Sequence, residues 1–142
     1  MQFLIKNVSD LQSISYSVKW QYFEKLVAFI FSENGFDARQ NVVVKVSGSK
    51  RQFDVVARSS SKTFLVECKK WKCMKERASA LRSSVPKHLE RCSLYASMHE
   101  DENVVPVFVT LLDDDIALEN GVPIVPIMKL NSFLQEFDRF EA

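Results

Sequence analysis

The first third of the chain has apolar residues every three or four positions, the spacing of a helix that buries one side. This pattern predicts a helix from about residue 17 to Asn34, with Ser17 as N-cap and Gly35 in the left-handed position after its end. Its buried stripe is predicted to comprise Trp20, Phe23, Val27, Ile30 and Phe31. A short strand is also predicted at residues 2–6.

The following segment is rich in β-branched residues, which is typical of strands. Three strands are predicted at residues 41–46, 52–58 and 63–68, separated by Gly48 with its neighbouring serines and by a turn at residues 59–62. A continuous apolar run at residues 104–111 predicts a fourth strand that is buried on both faces.

The remaining elements are mostly helical in pattern. Residues 75–99 are predicted to be helical, and Pro86 is expected to kink this segment or to begin a new helix. Residues 113–120 predict a short helix with three aspartates at its N-terminus and Gly121 at its end. A strand at 122–127 and a helix at 130–140 follow.

This order of elements predicts a single α/β domain over residues 1–142, with its core at about 17–137. A meander of three strands precedes strands that are joined by helices. A mixed central sheet flanked by helices on both faces accommodates this order.

Composition excludes several classes of protein. With 142 residues and 46% hydrophobic content, the chain is neither a disordered tail nor a disulfide-stapled miniprotein. No run of eighteen apolar residues predicts a membrane span, and no Gly-rich phosphate loop predicts a nucleotide cofactor. The three cysteines Cys68, Cys73 and Cys92 cannot all pair internally, which favours a reducing cytoplasm.

The net charge of +1 conceals a strong asymmetry along the chain. Residues 39–77 contain eleven basic and three acidic residues, a charge of +8. Residues 100–142 contain ten acidic and two basic residues, a charge of −8. The basic middle favours a face that binds a polyanion, although a solvated lysine-rich face is the alternative.

Three charged residues occupy strand positions that suggest chemistry. Glu67 and Lys69 are two residues apart and therefore share one strand face, whereas Cys68 faces away. A turn centred between residues 60 and 61 pairs residues whose numbers sum to 121, so Asp54 is predicted to lie opposite Glu67. The Cβ atoms of these two residues would be roughly 5 Å apart.

Two facing carboxylates repel each other unless a cation bridges them, and Mg²⁺ prefers such oxygen ligands. Lys69 could then orient or deprotonate an attacking water, or stabilise charge on a phosphate. The alternative is a cross-strand salt bridge on an exposed sheet face. Glu24 lies on the apolar stripe of the first helix, where a carboxylate is costly without a partner. It either supports the metal cluster or is a surface residue at the edge of the stripe.

These residues resemble the PD-(D/E)XK nuclease superfamily, which has the restriction-endonuclease-like fold. The matching segments are Trp20-Gln21-Tyr22-Phe23-Glu24, Phe53-Asp54-Val55-Val56-Ala57 and Val66-Glu67-Cys68-Lys69-Lys70-Trp71, and the resemblance covers about residues 17–137. The chain looks most like Mrr-type restriction endonuclease domains and archaeal Holliday-junction-resolvase relatives. Phe53 stands where the name of the motif has proline, and many relatives also lack this proline.

The resemblance implies a metal-dependent DNA endonuclease that hydrolyses phosphodiester bonds with Mg²⁺ or Mn²⁺. It implies Asp54, Glu67 and the main-chain carbonyl of Cys68 as metal ligands, with Lys69 serving the attacking water and Glu24 supporting the site. A homodimer is also implied, because two-strand cutters of this kind pair their active sites. The candidate contacts to DNA backbone phosphates are Lys50, Arg51, Lys70, Lys72 and Lys75.

Other interpretations remain open on the sequence alone. A catalytically inactive nucleic-acid-binding or assembly module would keep the fold, and a protein-interaction subunit would use the acidic C-terminal part. Trp71 either stacks on a base or packs in the core, and the core is favoured. His88 and His99 are predicted to be surface or boundary residues. Cys68 and Cys73 have the spacing of half a zinc site but no second pair.

Overall fold

The computed structural model describes residues 20–137, except residues 47, 72–73, 100–102 and 112–113. The predicted strand at residues 2–6 and the predicted N-cap Ser17 lie outside the described residues. Three helices and six strands are present in the described part: α1 (Trp20–Glu33), β1 (Asp37–Val46), β2 (Ser49–Arg58), β3 (Thr63–Lys69), α2 (Met74–Met98), β4 (Val104–Thr110), β5 (Ala117–Glu119), β6 (Val122–Pro126) and α3 (Ile127–Gln135).

The six strands form one mixed sheet in the order β1-β2-β3-β4-β6-β5. The meander β1-β2-β3 is antiparallel, β4 is parallel to β3 and to β6, and β5 pairs antiparallel with β6. This is the predicted α/β architecture. No described helix is long and apolar enough to span a membrane.

Helices cover both faces of the sheet, as predicted. On one face, called the α1 face, residues of α1 and α3 such as Phe31 and Phe133 pack against Phe64 and Val66 of β3. On the other, called the α2 face, Tyr95 of α2 packs against Leu65 of β3. Burial of these apolar side chains is the main force that holds α2 and β3 together.

The pairing of β1 with β2 is interrupted at one position. Gln40 pairs with Val55 and Val42 pairs with Phe53, but Asn41 and Asp54 between them are not paired. Asn41 has a positive φ of 52°, which few non-glycine residues adopt. Phe53 packs on the α2 face although Val55, two residues later, packs on the α1 face. The strand therefore changes face at Asp54, which removes this residue from the regular sheet.

The predicted helix at residues 113–120 is wrong. Residues 117–119 form β5, and a two-residue turn at Asn120 and Gly121 connects it to β6, with Glu119 paired to Val122. Both turn residues have positive φ, 55° and 79°. Asn-Gly is the preferred sequence for such a hairpin turn, and this local preference overrides the helical pattern.

α2 matches the helix predicted at residues 75–99, whereas α3 differs from its prediction. α2 continues from Met74 to Met98 with Pro86 inside it, so no new helix begins at the proline. Pro86 is exposed, which leaves its ring in solvent. α3 begins three residues earlier than predicted, directly after Pro126, which is both the last residue of β6 and the N-cap of the helix.

Candidate active site

Asp54 and Glu67 come together at the end of β3. The pairing of β2 with β3 follows the predicted sum of 121, from Arg58 with Thr63 to Val55 with Val66. Asp54 and Glu67 are the next residues in this register, where regular pairing ends. Instead of a strand bond, Oδ2 of Asp54 accepts a hydrogen bond of 2.8 Å from the backbone N–H of Cys68.

Burial and charge make the ionised form of Asp54 unfavourable. Desolvation raises the pKa of Asp54 to about 6, and the negative charge of Glu67 and a side-chain hydrogen bond with it act in the same direction. The Cys68 N–H and the positive charge of Lys69 lower the pKa, but they do not compensate for burial. A cation between the two carboxylates would remove this conflict.

Arg91 of α2 holds Glu67, and His88 of the same helix lies nearby. Nη1 of Arg91 donates a hydrogen bond of 2.8 Å to Oε2 of Glu67. The same oxygen lies 3.8 Å from Nδ1 of His88. Oδ1 of Asp54 and Oε1 of Glu67 take no part in the hydrogen bonds to the Cys68 N–H and to Arg91.

Lys69 and Glu24 lie close enough to influence the same site. The charge of Lys69, at the end of β3, lowers the pKa of Asp54. Glu24 projects from the buried side of α1, and its pKa is raised by burial and then by the charge of Asp54. Glu24 is therefore not a surface residue at the edge of the stripe, and the four predicted side chains form one electrostatic cluster.

The backbone of Cys68 faces this cluster, whereas its side chain does not. The carbonyl of Lys69 accepts a hydrogen bond from Leu111 on the β4 side. Because successive strand residues point their backbone groups in opposite directions, the N–H and carbonyl of Cys68 point towards Asp54. Its thiol is buried on the α1 face, where desolvation raises its pKa well above the usual range.

The donor set fits a hard divalent cation with few protein ligands. Mg²⁺ is commonly bound by one or two carboxylates and keeps several waters. Within the described ranges, no group of three or more His, Cys, Asp or Glu side chains is arranged to hold a metal. Two carboxylates and a carbonyl therefore suit Mg²⁺ or Mn²⁺ and not a closed zinc site.

The carboxylate pair opens into a surface cleft of about 620 Å³ between the β1–β2 hairpin and α2. Two of the predicted phosphate-binding residues, Lys50 and Arg51, line this cleft. Arg51 also forms an ion pair of 2.8 Å with Glu90 of α2. Lys70 is exposed after β3 but does not line the cleft, Lys72 lies outside the described residues, and the side chain of Lys75 is not described. The full lining is Lys50, Arg51, Gln52, Asp54, Glu67, Lys87, Glu90 and Arg91.

Sequence reasoning missed the contribution of α2. His88 is fully buried and its Nε2 lies 2.9 Å from the carbonyl of Leu65, so the prediction of a surface or boundary residue is wrong. Burial lowers the pKa of His88 to about 4. His88 and Arg91 are spaced at three residues and lie on the same helix side as Val85 and Tyr95. This polar pair on an apolar stripe was the available signal.

Trp71 packs in the core, as favoured, where it stacks on Phe108 with ring centroids 6.3 Å apart. Its ring therefore belongs to the apolar cluster between α2 and the sheet. His99 is half-buried and stacks on Tyr95, as expected of a boundary residue.

The mixed sheet, the helix that precedes it and the carboxylate pair on the β2–β3 hairpin define the restriction-endonuclease-like class of nuclease folds. Residues 15–111 match the model of the restriction endonuclease family Mrr_cat, and the chain belongs to this family. Restriction-endonuclease-like domains generally use divalent metals.

The chain is also similar to one relative and to several solved structures. An uncharacterized protein of Archaeoglobus fulgidus is 32% identical over 117 residues, which cover 82% of this chain and 90% of that protein. The small subunit of the heterodimeric restriction endonuclease R.BspD6I has the same fold, with a TM-score of 0.59, 14% identity and coverage of 96% of this chain and 80% of that one. A protein of unknown function, AF1548, is 20% identical with a TM-score of 0.42, over 65% of this chain and 47% of its own.

Proposed function

We propose that this protein is a metal-dependent DNA endonuclease that hydrolyses phosphodiester bonds. One observation carries the proposal: Asp54 and Glu67 meet where strand pairing ends, at the floor of a cleft that is also lined by basic residues. The raised pKa of Asp54 supports it, because an isolated pair of this kind is unfavourable without a cation. Membership of the Mrr_cat family supports it independently.

Asp54, Glu67 and the Cys68 carbonyl would hold Mg²⁺ or Mn²⁺. When bound, the cation would stabilise the negative charge that develops on the phosphate during in-line attack. Lys69 would orient the attacking water and add positive charge beside the phosphate. Glu24 would support the site from α1, through its charge and its position next to Asp54.

The walls of the cleft would hold the DNA backbone. Lys50 and Arg51 on the hairpin face Lys87 and Arg91 on α2 across the cleft. Lys50 also lies directly opposite Lys45 in the β1–β2 ladder, where two like charges repel unless an anion is bound between or above them. Lys70, Lys72 and Lys75 remain proposed contacts to DNA phosphates.

The assembly that cleaves DNA is part of the proposal. A homodimer would place two active sites on one duplex, so that both strands are cut. R.BspD6I is described as a heterodimeric enzyme. Pairing with a different subunit is therefore the second arrangement to examine, by light scattering of the purified chain with and without DNA.

The proposal is tested by a cleavage assay on linear duplex, branched and single-stranded DNA with Mg²⁺ or Mn²⁺. Glu67→Gln keeps the size of the side chain but removes its charge. We expect a loss of more than about 100-fold in rate, since even residues that only support metal ligands contribute about 10- to 100-fold. Addition of EDTA should abolish cleavage by the wild type.

The matched control is Glu33→Gln, which makes the same change on the exposed end of α1. This variant should cleave like the wild type. If the wild type and Glu67→Gln are equally inert on every substrate but bind DNA equally well without metal, the chain is instead an inactive DNA-binding module. Cleavage that persists in EDTA would contradict the metal dependence.

A further inference from the structure

Arg91 makes an asymmetric contact with the proposed metal ligand Glu67. One guanidinium nitrogen, Nη1, contacts one carboxylate oxygen, Oε2, at 2.8 Å. A bidentate contact would form two parallel hydrogen bonds and occupy both oxygens. Here the contact fixes Oε2 and leaves Oε1 to another partner.

Asp54 is held in the same manner from the opposite side. Its Oδ2 accepts the Cys68 N–H at 2.8 Å, and Oδ1 takes no part in this bond. Both carboxylates thus have one oxygen fixed by the protein, one through the backbone and the other through α2. Hydrogen bonds of this kind to metal-binding carboxylates orient the ligands and tune metal affinity.

The surroundings of Arg91 favour a fixed contact between its guanidinium and Glu67. Its side chain is 31% exposed and that of Glu67 is 15% exposed, so the pair is partly removed from water and its attraction is weakly screened. One turn earlier on α2, His88 anchors the helix to β3 through the Leu65 carbonyl. This anchor restricts where the Arg91 side chain can reach.

We propose that Arg91 is a positioning residue of the metal site, which holds Oε2 of Glu67 so that Oε1 faces the cation beside Asp54. This inference rests on the proposed function. It assigns to α2 a part in metal binding, in addition to its side of the DNA cleft. A guanidinium near a cation also repels it, so the orienting effect must exceed the repulsion for the inference to hold.

Metal affinity of the full-length chain separates these two effects. The dissociation constant of Mn²⁺ is measured by isothermal titration calorimetry and by Mn²⁺ electron paramagnetic resonance, without DNA, for the wild type, Arg91→Gln, Arg91→Lys and Lys87→Gln. Lys87 is exposed one turn earlier in the same cleft, and within the described part of the chain it has no hydrogen bond or ion pair with Glu67. Its variant therefore removes one positive charge without removing the contact.

We expect Arg91→Gln to bind Mn²⁺ about 10- to 100-fold more weakly than the wild type. Arg91→Lys, which retains a donor and the charge, should restore part of the affinity. Lys87→Gln should bind Mn²⁺ no more weakly than the wild type. Equal or tighter binding by Arg91→Gln would overturn the inference, because repulsion would then dominate.

Circular dichroism shows whether each variant is folded. If Arg91→Gln is unfolded, Arg91→Lys decides: weakening of about threefold or more supports the inference, and wild-type affinity overturns it. A wild type that cleaves DNA with Mn²⁺ while Arg91→Gln keeps full affinity would refute this inference alone. A wild type that neither binds Mn²⁺ nor cleaves DNA would refute the proposed function and the inference together.

Discussion

The ionised carboxylate of Asp54 destabilises the metal-free protein. Its pKa of about 6 in the folded state lies above the ordinary value of 3.8, first because of burial. A group with a raised folded-state pKa favours folding when it is protonated. The stability it contributes is complete below pH 4 and is lost as the pH rises through 6.

Asp54→Asn should therefore stabilise the metal-free protein at neutral and higher pH. Asparagine cannot ionise, and its side-chain oxygen can still accept the Cys68 N–H. The full shift corresponds to about 3 kcal/mol, and solvent screening of this half-buried group reduces the expected gain to about 1–2 kcal/mol. Urea unfolding in EDTA at pH 8 and at pH 4 measures it, with little difference between the two proteins expected at pH 4.

Addition of Mn²⁺ provides the complementary measurement. The cation should raise the unfolding midpoint of the wild type, since it binds the folded state, and should leave that of Asp54→Asn nearly unchanged. A variant that is less stable than the wild type at pH 8 in EDTA would contradict this account. It would show that the carboxylate makes favourable contacts that outweigh its burial.

Asp54 and Glu67 could be paired from the sequence because a short hairpin fixes its own register. The sum of 121 depends only on where the turn lies, and the structure has this register. Arg91 and His88 could not be placed in this way. Their contacts with β3 depend on how α2 crosses the sheet, which is decided by packing of Tyr95 and its neighbours and not by a local pattern.

At the scale of elements, periodicity identified the long segments and local turn chemistry decided the short one. The stripe on α1 and the apolar run of β4 are long enough to determine their type. β5 has three residues, too few for a period, and the Asn120-Gly121 turn sets its conformation. Turn residues are therefore better predictors than periodicity for such short segments.

An ion pair between Arg51 and Glu90 joins the β1–β2 hairpin to α2 across the cleft. Their ion pair of 2.8 Å is largely solvent-exposed, so we expect it to contribute less than about 1 kcal/mol to stability. The same ion pair occupies the Arg51 guanidinium, which would otherwise bind a DNA phosphate. Glu90 also places negative charge in the cleft.

Glu90→Gln should therefore strengthen DNA binding with little effect on unfolding. Loss of one repulsive charge and release of Arg51 are worth about 1 kcal/mol, or roughly fivefold in Kd. Fluorescence anisotropy with a labelled duplex in Ca²⁺ measures this change. Glu33→Gln on α1 should leave Kd unchanged, and equal or weaker binding by Glu90→Gln would show that DNA does not enter this cleft.

At the scale of the whole molecule, basic and acidic side chains of the described residues lie near opposite edges of the sheet. The hairpin β1–β2, with Lys45 and Lys50, forms one edge, and β5 lies at the other. Near β5, Asp114 pairs with Arg77, and Asp115 pairs with Lys129, so part of the acidic segment is neutralised locally. A polyanion would therefore approach the hairpin edge and α2, away from β5.

This polarity predicts how DNA binding depends on salt. Four basic residues line the cleft, but Arg51 is paired with Glu90 and Arg91 with Glu67. Neutralisation of about two to four phosphates gives a slope of about −2 to −4 in a plot of log K against log salt. Lys50→Gln should make this slope shallower by about 1, because one phosphate contact is lost. Lys25→Gln, on α1 at the opposite face, removes the same charge and should leave the slope unchanged. Anisotropy titrations in Ca²⁺, at salt concentrations from about 50 to about 300 mM, provide the comparison. If both variants reduce the slope equally, the protein binds DNA through its diffuse charge and not through the cleft that leads to Asp54 and Glu67.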